Sequence, residues 1–189
     1  PSMRLIGRLL GEEERAEAFI DYSQAQMARV TETIETATPQ RPRVFIDRAG
    51  GYSDDCCMSF GQGNFGKYVE LAGGSNIADG IIPNTFGRLN PGQIIAADPQ
   101  QVVVTGGHWD AYVPGGDWVG VGPGADLAAA RTKLEGLTER TAMAGIDAVQ
   151  TDNFHAIWHQ FYNSPYYFVA VQRLAKWFHP ALFADLDPE

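Results

Sequence analysis

Apolar residues recur every three or four positions in several stretches of the chain, a spacing that predicts amphipathic helices. The longest stretch begins after Gly11 with three consecutive glutamates and continues to about Thr36. Acidic side chains in a first turn complement the helix dipole. At about 1.5 Å per residue, this helix would be on the order of 37 Å long. Shorter helices are predicted before Gly11 and at 64–72, 91–97, 125–138 and 163–178.

Short β-branched and apolar runs between these helices predict buried strands. They lie at 43–47, 76–78, 101–105 and 148–151. Because strands alternate with helices, we assign the chain to the α/β class. The expected architecture is a three-layer αβα, Rossmann-like lobe with a central, mainly parallel sheet, preceded by the long helix.

Loops at the carboxyl ends of parallel strands are where open α/β sheets bind their ligands. We expect three such loops, with candidate ligand contacts at Arg48 and Tyr52 in the first, Trp109 and Trp118 in the second and Phe154 in the third. An arginine pairs with negative charge, and aromatic rings pack on a bulky organic surface. The alternative for the aromatic residues is that they only attach their loops to the sheet.

Composition narrows the possible partners. The 189 residues suffice for one domain with a real core. The net charge of -9 argues against a nucleic-acid partner, which needs clusters of lysine and arginine. The adjacent cysteines Cys56 and Cys57 cannot join distant parts of the chain. They are either two loop thiols or a vicinal disulfide, and a metal or redox role is the less favoured alternative.

Motifs for catalysis and metal binding are weak. The run 61–66 fits GxGxxG, but a long loop separates it from the preceding strand, which argues against a dinucleotide site. His155 and His159 have the i, i+4 spacing of zinc ligands on a helix, but a third ligand is missing and a structural role is favoured. A nucleophile elbow and paired catalytic carboxylates are also lacking. We therefore predict a binding protein, not an enzyme, with no metal ligand supplied by the protein.

Four segments resemble a known family. They are 44–47, NFGKYVELAGGSNIA (64–78), NPGQIIAADPQQVVVTG (90–106) and NSPYYFVAVQRLAKWFHP (163–180). Together they resemble the C-terminal lobe of cluster A-I, or class III, substrate-binding proteins, which serve ABC importers of iron-siderophore complexes, haem or cobalamin. The resemblance implies three segments: the end of a missing N-terminal lobe (1–11), a spine helix between lobes (12–37) and the C-terminal ligand-binding lobe (38–189).

The resemblance also implies a function. Ligand would be held in the cleft between two lobes and delivered to an ABC permease in the inner membrane. The protein would be periplasmic or otherwise extracytoplasmic, with a lipid anchor through the missing N-terminus as one option. Glu70 is the acidic candidate for permease docking, and an ordinary solvated helix face is its alternative. A ferric siderophore is the expected ligand, since its iron is already saturated and no protein cofactor is needed.

Two alternatives remain open from the sequence. Haem or bare metal as ligand would require His108 or Tyr52 as a direct ligand. Cobalamin is also possible within the same family. The second function class is a cytosolic Rossmann-like domain that binds a metabolite or acts as an enzyme, with its site at the loop 106–124.

Overall fold

The computed structural model describes residues 2–53 and 56–188. Its helices are α1 (Ser2–Leu10), α2 (Glu13–Ala37), α3 (Phe65–Leu71), α4 (Pro91–Ala97), α5 (Leu127–Thr138), α6 (Asp147–Gln150) and α7 (Tyr167–Phe178), with a 3₁₀ helix at His159–Asn163. Its strands are β1 (Arg43–Arg48), β2 (Met58–Phe60), β3 (Ser75–Asn76), β4 (Phe86–Arg88), β5 (Gln101–Gly106) and β6 (Phe154–Trp158). None of the helices in these ranges is long and apolar enough to cross a membrane.

The central sheet has the strand order β3-β1-β5-β6, and all its neighbours are parallel. β2 and β4 form a separate antiparallel pair. Every residue of β5 is buried, as expected for a strand covered on both faces. The predicted α/β class with a central, mainly parallel sheet is confirmed.

Two apolar clusters cover the two faces of the sheet. One contains Ile46 and Val103 together with residues of α2, α3 and α7. The other contains Phe45 and Val104 together with residues of α4, α5 and α6. Successive strand residues point to opposite faces, so β1, β5 and β6 each contribute to both clusters. The result is the three-layer arrangement that the sequence predicts.

The long helix predicted after Gly11 is present as α2, and α1 packs against its first turns. Arg4 makes a bidentate ion pair with Glu17, with N–O distances of 2.7 and 2.9 Å. Gly7 of α1 lies against Ala16, where an added Cβ would come within 2.6 Å of the alanine Cβ. The apolar side chains Leu5, Ile6, Leu9 and Leu10 of α1 remain exposed. That α2 joins two lobes stays a prediction.

The last strand was predicted in the wrong place. Residues 148–150 belong to helix α6 and Thr151 caps its end, while the strand is β6, at Phe154–Trp158. Asp98 Oδ1 accepts a hydrogen bond from the Asp147 N–H at 2.9 Å and so holds the first turn of α6. The next segment carries Phe, Ile and Trp, which favour strands, and it pairs with β5.

Candidate functional site

Three of the predicted ligand contacts lie together at the carboxyl edge of the sheet. The rings of Tyr52 and Trp109 are perpendicular, with centroids 5.4 Å apart. Trp109 in turn meets His159 edge-on at 5.7 Å. We call Tyr52, Trp109 and His159 the aromatic wall. Arg48, the last residue of β1, adjoins it because its guanidinium and the His159 ring both lie about 6 Å from the ring of Phe60.

Arg48 lies against aromatic rings and makes no ion pair with a carboxylate of the described residues. Its guanidinium carbon lies 4.4 Å above the centre of the Phe86 ring, a cation–π contact. Among residues 2–53 and 56–188, no carboxylate forms a salt bridge with it. Its Nε is buried and has no hydrogen-bond partner. The charge of the guanidinium is therefore not neutralised by a carboxylate of the described residues.

His159 belongs to this site, although the sequence favoured only a structural role for it. Its Nδ1 lies 2.8 Å from Thr105 Oγ1 on β5. Burial, followed by the positive charge of Arg48, lowers the pKa of His159 to about 4, so the ring is neutral at neutral pH. The signal that could have identified it is its position directly after β6, which required the correct boundaries of that strand.

The other histidine of the predicted pair lies far from this edge. His155 is the second residue of β6, and its ring stacks on Trp177 at 4.4 Å. The two imidazoles thus lie at opposite ends of one strand and do not share a helix face. Within the part of the chain that the structure describes, no group of three or more His, Cys, Asp or Glu residues could hold a metal ion.

Phe154 does not lie where the sequence placed it. It opens β6 opposite Val102, near the start of β5, and is only 9% exposed. It therefore lies at the amino end of the sheet, across the molecule from Arg48, and it packs in the cluster on the α5 side. The error follows from the misplaced strand, because a strand at 148–151 would have put Phe154 just beyond a carboxyl end.

Trp118 is not part of the aromatic wall and borders a separate cavity. Its indole N–H donates to the Val113 carbonyl at 2.9 Å, and its ring meets His108 at 5.1 Å. These two rings border a cavity of about 640 Å³ between their loop and α5. Trp118 and His108 are thus neighbours of each other, and the ring contacts that connect the aromatic wall do not include them.

Glu70 is the residue predicted to dock on a permease. Glu70 lies on α3 with its side chain exposed, and Lys67 on the same helix makes an ion pair with it at 2.8 Å. Its role in docking stays a prediction.

Cys56 and Cys57 form a disulfide with each other. Cys57 is buried beside β2, and its carbonyl accepts a hydrogen bond from the Leu89 N–H.

A buried carboxyl group lies directly before Arg48 in β1. Asp47 is 2% exposed, and its Oδ2 has no hydrogen-bond partner among residues 2–53 and 56–188. The nearest cationic atom is Arg140 Nη1, at 3.9 Å. Burial raises the pKa of Asp47 to about 7, although Arg140 acts in the opposite direction. Arg140 also donates to the Ser53 carbonyl at 3.4 Å, which links this pair to the loop that carries Tyr52.

Asp47 gives the protein a predicted pH dependence of stability. In an unfolded chain aspartate ionises near pH 3.9, so the stability provided by the neutral buried carboxyl is lost as pH rises from about 4 to about 7. Asp47→Asn keeps the shape and cannot ionise. We expect its melting temperature, relative to wild type, to rise by about 3 °C or more between about pH 5 and about pH 8. Thermal unfolding at both pH values tests this, and an unchanged difference would contradict it.

The sheet, its covering helices and the loops at its carboxyl edge define a Rossmann-like α/β lobe. The sequence profile of the periplasmic binding protein family matches residues 2–159. The chain belongs to that family, and the sequence-based assignment to cluster A-I substrate-binding proteins is confirmed. No curated protein sequence matches the chain significantly.

Solved structures share this fold. The TroA-like periplasmic binding protein FepB from Veillonella parvula is 23% identical with a TM-score of 0.89, and the match covers 99% of this chain and 53% of that one. The periplasmic haem-binding protein RhuT from Roseiflexus sp. RS-1, in apo form, is 20% identical with a TM-score of 0.70, covering 95% and 61%. A protein of an ABC-type Fe3+-hydroxamate transport system from Saccharomonospora viridis is 17% identical with a TM-score of 0.65, covering 94% and 54%. The chain thus spans between half and two thirds of the length of these structures.

Proposed function

We propose that this chain is a ligand-binding lobe of the substrate-binding component of an ABC importer, and that its ligand is a ferric siderophore. The observation that carries the proposal is Arg48, which no carboxylate of the described residues pairs with, beside the aromatic wall at the edge where α/β sheets bind ligands. A ferric siderophore is bulky and often anionic, so the arginine meets its charge and the rings meet its organic shell.

The related structures support an iron complex as the cargo. The protein from Saccharomonospora viridis belongs to an Fe3+-hydroxamate transport system, and the protein from Roseiflexus binds haem. The described residues contain no cluster of metal-binding side chains, which suits a ligand whose iron is already saturated. Membership in a family of binding proteins favours this function over a cytosolic metabolite-binding or enzymatic domain.

The proposal includes a location and partners. The protein works outside the cytoplasm and completes its ligand cleft with a second lobe. It then delivers the complex to a permease in the inner membrane.

Glu70 is the proposed docking residue. Glu70→Lys should lower uptake of the ferric complex by cells while ligand affinity is unchanged, and Glu35→Lys on the exposed side of α2 is the control. Equal uptake by both variants would remove Glu70 from the proposal.

Intrinsic fluorescence can locate the site. The protein has four tryptophans, and of these Trp109 is in the aromatic wall while Trp118 borders the separate cavity. We expect a ferric siderophore to quench the emission of the full-length protein. Trp109→Phe should remove most of the ligand-induced change, and Trp118→Phe should leave it largely intact. The reverse pattern would place the ligand in the cavity beside α5.

A further inference from the structure

His159 has the surroundings of a fixed, oriented hydrogen-bonding group. Among the described residues it has four aromatic neighbours, with ring centroids 5.2 to 6.5 Å away: Tyr162, Trp109, Phe60 and Phe65. On one edge of the imidazole, Nδ1 is hydrogen-bonded to the hydroxyl of Thr105, a wholly buried residue of β5. The ring therefore has little freedom to rotate, and the roles of its two nitrogens are set by their neighbours.

Thr105 determines which nitrogen of His159 carries the proton. The Ala49 N–H donates to Thr105 Oγ1 at 3.0 Å, so this oxygen already accepts one hydrogen bond. The hydroxyl hydrogen of a buried threonine needs an acceptor. In the ranges that the structure describes, His159 Nδ1 is the one acceptor within reach, at 2.8 Å. The hydroxyl thus donates to Nδ1, and the neutral ring keeps its hydrogen on Nε2.

The opposite edge of the ring, at Nε2, makes no hydrogen bond to the described residues, 2–53 and 56–188, and His159 Nε2 keeps some solvent-exposed surface. Arg48 lies against the same Phe60 ring, at 5.9 Å, and its own Nε also lacks a partner. The His159 ring and the Arg48 guanidinium thus lie against one aromatic ring at the edge of the aromatic wall.

We propose that His159 is a specificity-determining residue: Thr105 holds it as the Nε2–H tautomer, so it donates a hydrogen bond to a ligand oxygen and does not coordinate iron. This deepens the proposed function and depends on it for the ligand, whereas the tautomer is a property of the free protein. The class of ligand selected is an anionic, oxygen-rich ferric complex whose metal is already saturated. Haem, which needs an axial ligand, would find a protonated nitrogen here.

Burial supports the persistence of this state. The pKa of His159 is lowered to about 4, first by burial and then by Arg48, so the ring stays neutral in mildly acidic conditions. A neutral ring with Nδ1 occupied by a hydroxyl hydrogen is a donor only at Nε2. The same hydrogen-bond pattern is therefore presented to ligand across the neutral range.

The tautomer can be observed directly by NMR of the ligand-free, full-length protein labelled with ¹⁵N-histidine. We expect Nδ1 of His159 to resonate as an unprotonated, pyridine-type nitrogen and Nε2 as a protonated, pyrrole-type one. His159→Gln assigns the signal. Thr105→Ser, which keeps the hydroxyl, should preserve the pattern, and Thr105→Val should change it. A protonated Nδ1 in the wild-type protein would overturn the proposal.

A binding experiment tests the role of the donor. His159→Gln keeps an N–H near the position of Nε2, whereas His159→Phe keeps the ring and loses the hydrogen bond. We expect the phenylalanine variant to bind a ferric siderophore about 10-fold more weakly and the glutamine variant to stay near wild type, as for the loss of one hydrogen bond. Equal affinity of wild type and His159→Phe would refute the donor role. If wild type binds no ferric complex, the proposed function fails, and the NMR result still decides the tautomer.

Discussion

Gly66→Ala is expected to destabilise the protein by about 3 kcal/mol, because α3 approaches the preceding loop too closely to admit a side chain. A Cβ at Gly66 would overlap the carbonyl oxygen of Gly61 and come within 3.1 Å of Asn76 Nδ2. Asn76 itself donates to the carbonyls of Phe60 and Gly61, at 2.9 and 3.3 Å. The substitution would therefore disturb both the helix position and the support of β3.

Gly136 in α5 provides the matched control for Gly66. It is also helical, but nothing lies within 4 Å of a Cβ added there. Gly136→Ala should stabilise the protein by about 0.5 to 1 kcal/mol, since glycine is a poor helix former. Urea unfolding of both variants gives the comparison. Equal and small effects would show that the contact between α3 and the Gly61 loop is looser than described.

Arg48→Met is expected to weaken binding of an anionic ferric siderophore by about 10- to 100-fold, the usual effect of losing a hydrogen bond to a charged group. Methionine keeps an apolar stem over the Phe86 ring, so the fold should be preserved. Arg131→Met on the exposed side of α5 changes net charge equally and lies at the other end of the molecule, beside His155. It should have little effect on affinity.

Comparing ligands of different charge makes the test of Arg48 sharper. An uncharged ferric complex should bind wild type and Arg48→Met with similar affinity, whereas an anionic one should distinguish them. The two complexes can be titrated in parallel by fluorescence. A comparable loss with Arg131→Met would mean that net charge, not the position of Arg48, controls binding.

Periodicity alone gave the long helix, because α2 buries Ala16, Ser23, Val30 and Ile34 on one face over its whole length. β5 was equally clear, since four β-branched residues, 102–105, follow one another directly before Gly106. The placement of Arg48 also followed from sequence. It is the last residue of a well-marked strand, and the carboxyl edge of a parallel sheet is fixed once its strands are known.

The misplaced features have a common physical cause. The run at 148–151 is a short apolar segment, and such segments do not distinguish one helical turn from one strand. The hydrogen bond from Asp147 to Asp98, 49 residues away, decides for the helix, and no local pattern reveals it. The shift of that strand removed Phe154 from the site and brought His159 into it.

Trp118 illustrates a different limit. The loop 106–124 was correctly expected at a carboxyl edge, but a loop has two sides. Trp109 packs against Tyr52. Trp118 points toward α5, and its indole N–H donates a hydrogen bond to the carbonyl of Val113 in the same loop. Side-chain direction in a glycine-rich loop depends on contacts with the rest of the molecule, so spacing along the chain could not predict it.

The most direct test of the central claim is a fluorescence titration of the full-length protein with a panel of ferric siderophores, haem, cobalamin and ferric ion alone. We predict saturable quenching by an anionic ferric siderophore and none by ferric ion alone, since the described residues contain no cluster of metal ligands. Saturable binding of ferric ion in the absence of siderophore, or no binding by any member of the panel, would contradict it.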